Sequence, residues 1–80
     1  MINNIENKIK KIISNQLELP FKKILNTDFY TKNLHADSLD IIELIMSFEK
    51  EFNIQISDED AEQLTNVQNT IDYIYNKINN

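Results

Sequence analysis

Ile2, Ile5, Ile9, Ile12 and Ile13 recur three or four positions apart with polar residues between them, so residues 2–16 are predicted to form an amphipathic helix. Pro20 cannot continue that helix, and the residue before a proline is pushed out of the helical region. Residues 18–36 form a long connection that Phe21, Ile24, Leu25, Phe29, Tyr30 and Leu34 punctuate, so it is expected to pack onto helices, with one short helical turn around Lys22–Leu25. A second helix is predicted from the N-cap Asp37 to about Phe52, with Asp40 placed to complete a reciprocal cap and Ser38 as its first helical residue. Ser57 with Asp60 signals a short helix reaching about Leu64. Thr65 with Gln68 signals a last one, whose apolar stripe is Val67, Ile71, Ile74, Tyr75 and Ile78. No segment alternates as a strand would. The pattern predicts an all-α fold, a small four-helix bundle of three longer helices, one short helix and a long first loop, with residues 1–80 as one domain.

Eighty residues form a core near the lower limit of size, since a chain this short buries only about 60–65% of its unfolded surface. Cysteine is absent and histidine occurs once, so disulfides, thiolate-bound metal and a zinc site are not expected; no metal ligands are assigned. Glycine is absent too, so turns with positive φ are expected to use asparagine or aspartate.

Charge changes the picture more. Residues 1–35 carry a balance of +3 and residues 36–80 a balance of −8. The acidic block repels nucleic acid and anionic lipid and suits a partner with a basic face. No apolar run is long enough to span a membrane, and no secretory signal is read, so a monomer in the cytoplasm is expected, or a processed organelle protein.

The helix after Asp37 carries more apolar surface than a bundle needs. Ile41, Leu44, Ile45, Phe48 and Phe52 fall at core spacing. Leu39, Ile42 and Met46 form a second stripe, bordered by Asp40, Glu43 and Glu49, where the helix should be polar. Such a stripe fits partner docking, the acids steering encounter and the apolar residues holding contact. The alternative is that Ile42 or Met46 is buried under the long loop. A serine at a helix start is usually a cap or simply solvated. Here Asp37 is the better cap, which leaves the Ser38 hydroxyl spare at a position where free N–H groups and the helix dipole stabilise a phosphate ester.

The stretch His35-Ala36-Asp37-Ser38-Leu39-Asp40 resembles the attachment motif of the acyl carrier proteins, whose core is Asp-Ser-Leu. The likeness extends along nearly the whole chain. Lys10-Lys11-Ile12-Ile13 resembles the family's first helix, and Glu43-Leu44-Ile45-Met46 with Glu49-Lys50-Glu51-Phe52 its second. Asp58-Glu59-Asp60-Ala61-Glu62, Thr65-Asn66-Val67-Gln68 and Ile71-Asp72-Tyr73-Ile74 resemble the third helix, the following turn and the last helix. The resemblance implies a carrier without catalytic activity. A carrier-protein synthase (a phosphopantetheinyl transferase) would transfer 4′-phosphopantetheine from coenzyme A to Ser38. Growing fatty-acyl chains would then ride on the arm as thioesters, folding into the apolar core between enzymes. Asp37, Leu39, Asp40, Ile42, Glu43, Met46 and Glu49 would face basic patches on the synthase, ketosynthase, reductases, dehydratase and acyltransferases.

The chain departs from that pattern at His35, where the family usually has glycine, and at Lys32, Asn33 and Lys50, where acids are common. His35 should restrict the backbone beside the arm; its side chain reads as an exposed loop imidazole or as a cation near the phosphodiester. An enzyme built on Ser38 and His35 is disfavoured, because no glycine exists to form a nucleophile elbow. A calcium loop at Asp58-Glu59-Asp60 lacks its glycine and its alternating acids. Two alternatives stand beside a fatty-acyl carrier: a carrier of aminoacyl or polyketide cargo, and an unmodified acidic helical interaction module.

Overall fold

The computed structural model describes residues 2–79, with side chains from Asn4 onward. It contains α1 (Ile2–Leu17), α2 (Ser38–Phe52), α3 (Asp58–Ala61) and α4 (Val67–Ile78), with a single 3₁₀ turn, Phe21–Lys23, in the first connection. There is no strand among the described residues, only an isolated bridge between Phe29 and Asn66. This is the predicted small helical bundle, in which α1 packs against both α2 and α4.

The three longer helices bury the central part of the stripe their spacing announces, whereas Tyr75 and Ile78, at the far end of the α4 stripe, stay exposed where that helix runs past the bundle. Ile5, Ile9 and Ile13 of α1 meet Leu44 and Phe48 of α2 and Val67, Ile71 and Ile74 of α4 in one core. The side chain of Ile2, at the head of the α1 stripe, lies outside the described residues. Each large core side chain contributes about 1.5–3 kcal/mol by leaving water. Ile41, Ile45 and Phe52 are only half-buried; Ile41 and Ile45 line the side of α2 that faces the short α3.

The long connection is bound to the bundle as expected, though not along its whole length. Ile24, Tyr30, Leu34 and Ala36 are buried, whereas Phe21, Leu25 and Phe29 remain largely exposed. Its 3₁₀ turn starts directly after Pro20, whose fixed φ of −62° leads into the turn, one residue ahead of the predicted Lys22–Leu25. Backbone bonds from Tyr30 N–H to Thr65 O (3.1 Å), Val67 N–H to Asp28 O (3.0 Å) and Gln68 N–H to Asn26 O (2.9 Å) clamp the loop onto the start of α4. Below them the Tyr30 and Thr70 hydroxyls lie 2.6 Å apart in the core, and Thr70 Oγ1 donates to Asn66 O at 3.1 Å. Burial pushes the Tyr30 phenol well above its ordinary value.

Three details correct the sequence reading. Asn66, not Thr65, caps α4: its side chain accepts Asn69 N–H at 2.7 Å, because the Thr65 carbonyl is drawn outward to Tyr30. The short helix ends at Ala61 rather than Leu64, since the N–H groups of Gln63 and Leu64 make tighter turns onto Asp60 and Ala61. Positive φ occurs at Glu18 (55°), His35 (59°) and Asn53 (54°), so only one of the three uses the expected asparagine. At Glu18 the cause is helix closure. Leu19 N–H reaches back to Ser14 O at 3.1 Å, and that geometry demands a left-handed residue at Glu18 whatever its side chain. At His35 the turn lets Ala36 N–H meet Tyr30 O at 2.8 Å and delivers the chain to α2.

Candidate functional site

The start of α2 is held by two aspartates. Asp37 Oδ1 accepts Asp40 N–H at 2.8 Å, and Asp40 Oδ2 accepts Asp37 N–H at 3.1 Å, a complete capping box. Ile41 N–H bonds to Asp37 O at 3.0 Å. The N–H groups of Ser38 and Leu39 fall in the first turn, where a helix offers no partner of its own. Ser38 is exposed, and its hydroxyl takes no part in the cap. The site thus combines a free hydroxyl, first-turn N–H donors and the positive end of a fifteen-residue helix dipole, which suits a phosphodiester anion.

Ser38 stands at the edge of a groove between α2 and α3 with a cavity volume of about 610 Å³. Ile41, Ile42, Ile45, Met46, Ile56 and Ala61 give it an apolar lining, Ile42 and Met46 at its solvent-facing lip, while Glu49, Asp58 and Glu62 supply its acids. Asp58, Ala61 and Glu62 entered the sequence reading only as part of the third-helix resemblance and, for Asp58, the disfavoured calcium loop, and neither they nor Ile56 were assigned to the site. The available signal was apolar Ile56 just ahead of the Ser57 cap and apolar Ala61 closing a four-residue helix that is otherwise all acid. A smaller cavity of about 380 Å³, lined by Phe29, Tyr30 and Leu64 among others, shares Ile41, Ala61 and Glu62 with the groove.

The second stripe of α2 is open to solvent. Leu39, Ile42 and Met46 are 63%, 56% and 61% exposed, so the long loop does not bury them. Asp37 and Glu43 are exposed and Asp40 half-buried. Glu43 also accepts a hydrogen bond from Gln16 Nε2 at 2.7 Å, tying its carboxylate to the end of α1. Glu49 differs from the other acids grouped with it. It is half-buried, and its Oε2 accepts Ile56 N–H at 2.8 Å, so its carboxylate is engaged within the chain. His35 is an exposed loop residue. No cluster of three or more metal-ligating side chains occurs among the described residues, and no described helix is long and apolar enough to cross a membrane.

Comparison with known proteins agrees with this geometry. The profile of the family described as "Phosphopantetheine attachment site" matches residues 7–74. The acyl carrier protein of Buchnera aphidicola subsp. Schizaphis graminum (strain Sg) is 60% identical over 76 residues, covering 95% of this chain and 96% of that protein. The chain belongs to the acyl carrier proteins. The acyl carrier protein of Buchnera aphidicola subsp. Baizongia pistaciae (strain Bp) is 61% identical over 71 residues, covering 89% of this chain and 91% of that one. Among solved structures, the acyl carrier protein from Enterococcus faecalis superposes with a TM-score of 0.80 at 33% identity, covering 95% of this chain and 96% of that one. As an acyl carrier protein the chain is a carrier and not an enzyme, with a covalently attached 4′-phosphopantetheine as its prosthetic group. The prosthetic group supplies the thiol on which acyl groups travel, so the absence of cysteine is no obstacle. The family interacts with a phosphopantetheinyl transferase and with the enzymes of fatty-acid synthesis.

Proposed function

We propose that Ser38 bears the phosphopantetheine arm, that fatty-acyl chains lodge in the groove between α2 and α3, and that the exposed stripe of α2 docks partner enzymes. The observation that carries the reading is the division of labour at the helix start. The Asp37–Asp40 box satisfies the cap, leaving an exposed Ser38 hydroxyl beside first-turn N–H donors and at the edge of an aliphatic groove. The isoleucines of that groove suit an alkyl chain better than an aminoacyl or polyketide group, whose polar atoms would lose hydrogen bonds to water there. Leu39, Ile42 and Met46 supply contact, and Asp37, Asp40 and Glu43 supply the field that draws basic faces of the transferase, ketosynthase, reductases, dehydratase and acyltransferases.

The test is intact mass after incubation with coenzyme A and a carrier-protein synthase. The wild-type chain should gain one phosphopantetheine, and Ser38→Ala should gain none while keeping its helical circular dichroism. Modification of the alanine variant would assign the arm elsewhere. An unmodified wild type would favour a plain interaction module.

A further inference from the structure

Glu49 gathers the turn that follows α2. Its backbone carbonyl accepts the N–H groups of Asn53 and of Ile54, the latter at 3.2 Å, and its side chain accepts Ile56 N–H at 2.8 Å. The backbone bonds close the helix around the left-handed Asn53. The side-chain bond does something further. It fixes the backbone one residue before Ser57, the cap of α3, and it satisfies an N–H on a residue that is only 7% exposed.

The wall of the groove opposite α2 is made by Ile56, Asp58, Ala61 and Glu62. Three of these come from or adjoin α3, whose four residues are too few to hold a position by helical hydrogen bonding alone. That wall stands where its tethers put it. On the α4 side the tether is Tyr73, whose hydroxyl donates to Asp60 Oδ2 at 2.7 Å. On the α2 side it is Glu49.

We propose that Glu49 is a positioning residue rather than a docking acid: its carboxylate, holding Ile56 N–H, sets the wall of the groove against which the acyl chain packs. The proposal rests on the reading that the chain occupies this groove, and its test separates the two. Amide exchange is measured first on the unmodified protein, where no arm is involved. Glu49→Ala should accelerate exchange of the Ile56 amide by about tenfold or more, the scale of a lost hydrogen bond to a charged acceptor. Glu49→Gln keeps a carbonyl oxygen at the same reach and should stay within about fivefold of wild type. Ile71 in α4 serves as the folding control and should keep its protection in both variants.

The second measurement uses the octanoyl-thioester form and looks for nuclear Overhauser contacts between octanoyl methylenes and the Ile56 methyls. These should be present in wild type and Glu49→Gln and lost in Glu49→Ala. An Ile56 amide unmoved by Glu49→Ala, with both variants slowing transferase association alike, would overturn the proposal in favour of a docking role. Accelerated exchange with the octanoyl contacts intact would overturn the claim that the bond positions the wall. Absence of those contacts in wild type would bring down the groove reading, while the exchange data would still report on the Glu49–Ile56 bond by itself.

Discussion

The Tyr30 hydroxyl, from the long first loop, lies 2.6 Å from the Thr70 hydroxyl of α4 in the core of the bundle. Forty residues separate them, and the pair is the buried polar link between the loop that delivers the chain to Ser38 and the helix farthest along it. Thr70 Oγ1 donates to Asn66 O, so the phenol is left to donate to Thr70. Removing one partner is therefore not equivalent to removing the other. Tyr30→Phe should cost about 1 kcal/mol, because Thr70 keeps its bond to Asn66. Thr70→Val strands a buried phenol and should cost more, about 1–3 kcal/mol. Urea denaturation of the two variants checks the order; equal losses would mean that the phenol finds another partner.

The same pair has a pH signature. Burial raises the Tyr30 phenol above its ordinary value of 10.0, which means the folded state favours the neutral form. That contribution is fully present below pH 10.0 and is lost as pH rises beyond it, when the unfolded chain can ionise and the folded one resists. Stability should fall on the alkaline side, and the fall should be shallower in Tyr30→Phe. Parallel alkaline limbs in the two proteins would remove Tyr30 as the cause.

Left-handed backbone at Glu18 and His35 leads to a third expectation. A residue with a Cβ pays roughly 1–2 kcal/mol for that conformation, and glycine avoids this while losing about 0.4–1 kcal/mol through greater freedom of its unfolded chain. His35→Gly and Glu18→Gly should each raise stability by up to about 1 kcal/mol, several degrees in melting temperature for a chain of this size. His35→Val, branched at Cβ, should lower it. Loss of stability in His35→Gly would mean that the imidazole makes a contact worth more than the backbone gains.

These details bear on what was legible beforehand. Stripes such as Ile5-Ile9-Ile13 and Val67-Ile71-Ile74 repeat at the helical period, so the helices and their buried faces could be read off directly. Asp37 and Asp40 announced the start of α2, and with it the position of Ser38, because a capping box is a local device. Non-local bonds were not legible. Thr65 looked like a cap until its carbonyl was claimed by Tyr30, thirty-five residues away in sequence, and Glu49 looked like one more surface acid until its carboxylate met Ile56 N–H. The left-handed residues escaped for a related reason, since helix closure imposes positive φ on whichever residue comes next.

The two apolar stripes of α2 should separate cleanly in a mutational comparison. Leu44 is 1% exposed, and Leu44→Ala should cost about 2–5 kcal/mol. Ile42 and Met46 face solvent, so their alanine variants should stay within about 0.5 kcal/mol of wild type. If the open stripe docks partners, those same two variants should dissociate faster from the carrier-protein synthase. Unchanged dissociation with unchanged stability would leave the stripe without a role in that encounter.

Glu43 gives the sharpest test of steering, because its carboxylate is held at a fixed place by Gln16 Nε2, 2.7 Å away, on the exposed side of α2. Reversing it to lysine moves two charges on the proposed docking face and removes one exposed hydrogen bond of small energetic weight. At about 0.01 M salt, where fields reach about 30 Å, Glu43→Lys should slow association with the synthase by several-fold. At about 0.15 M the reach drops to about 8 Å and the difference should shrink, so the variant's association rate should depend less steeply on salt. Gln16→Ala serves as the control. It releases the same hydrogen bond but keeps the acid, and should associate at close to the wild-type rate. Stopped-flow association at the two ionic strengths reads all three proteins. Equal rates for Glu43→Lys and wild type at low salt would show that this acid only solvates the helix, and a loss shared by Gln16→Ala would assign the effect to the position of the side chain and not to its charge.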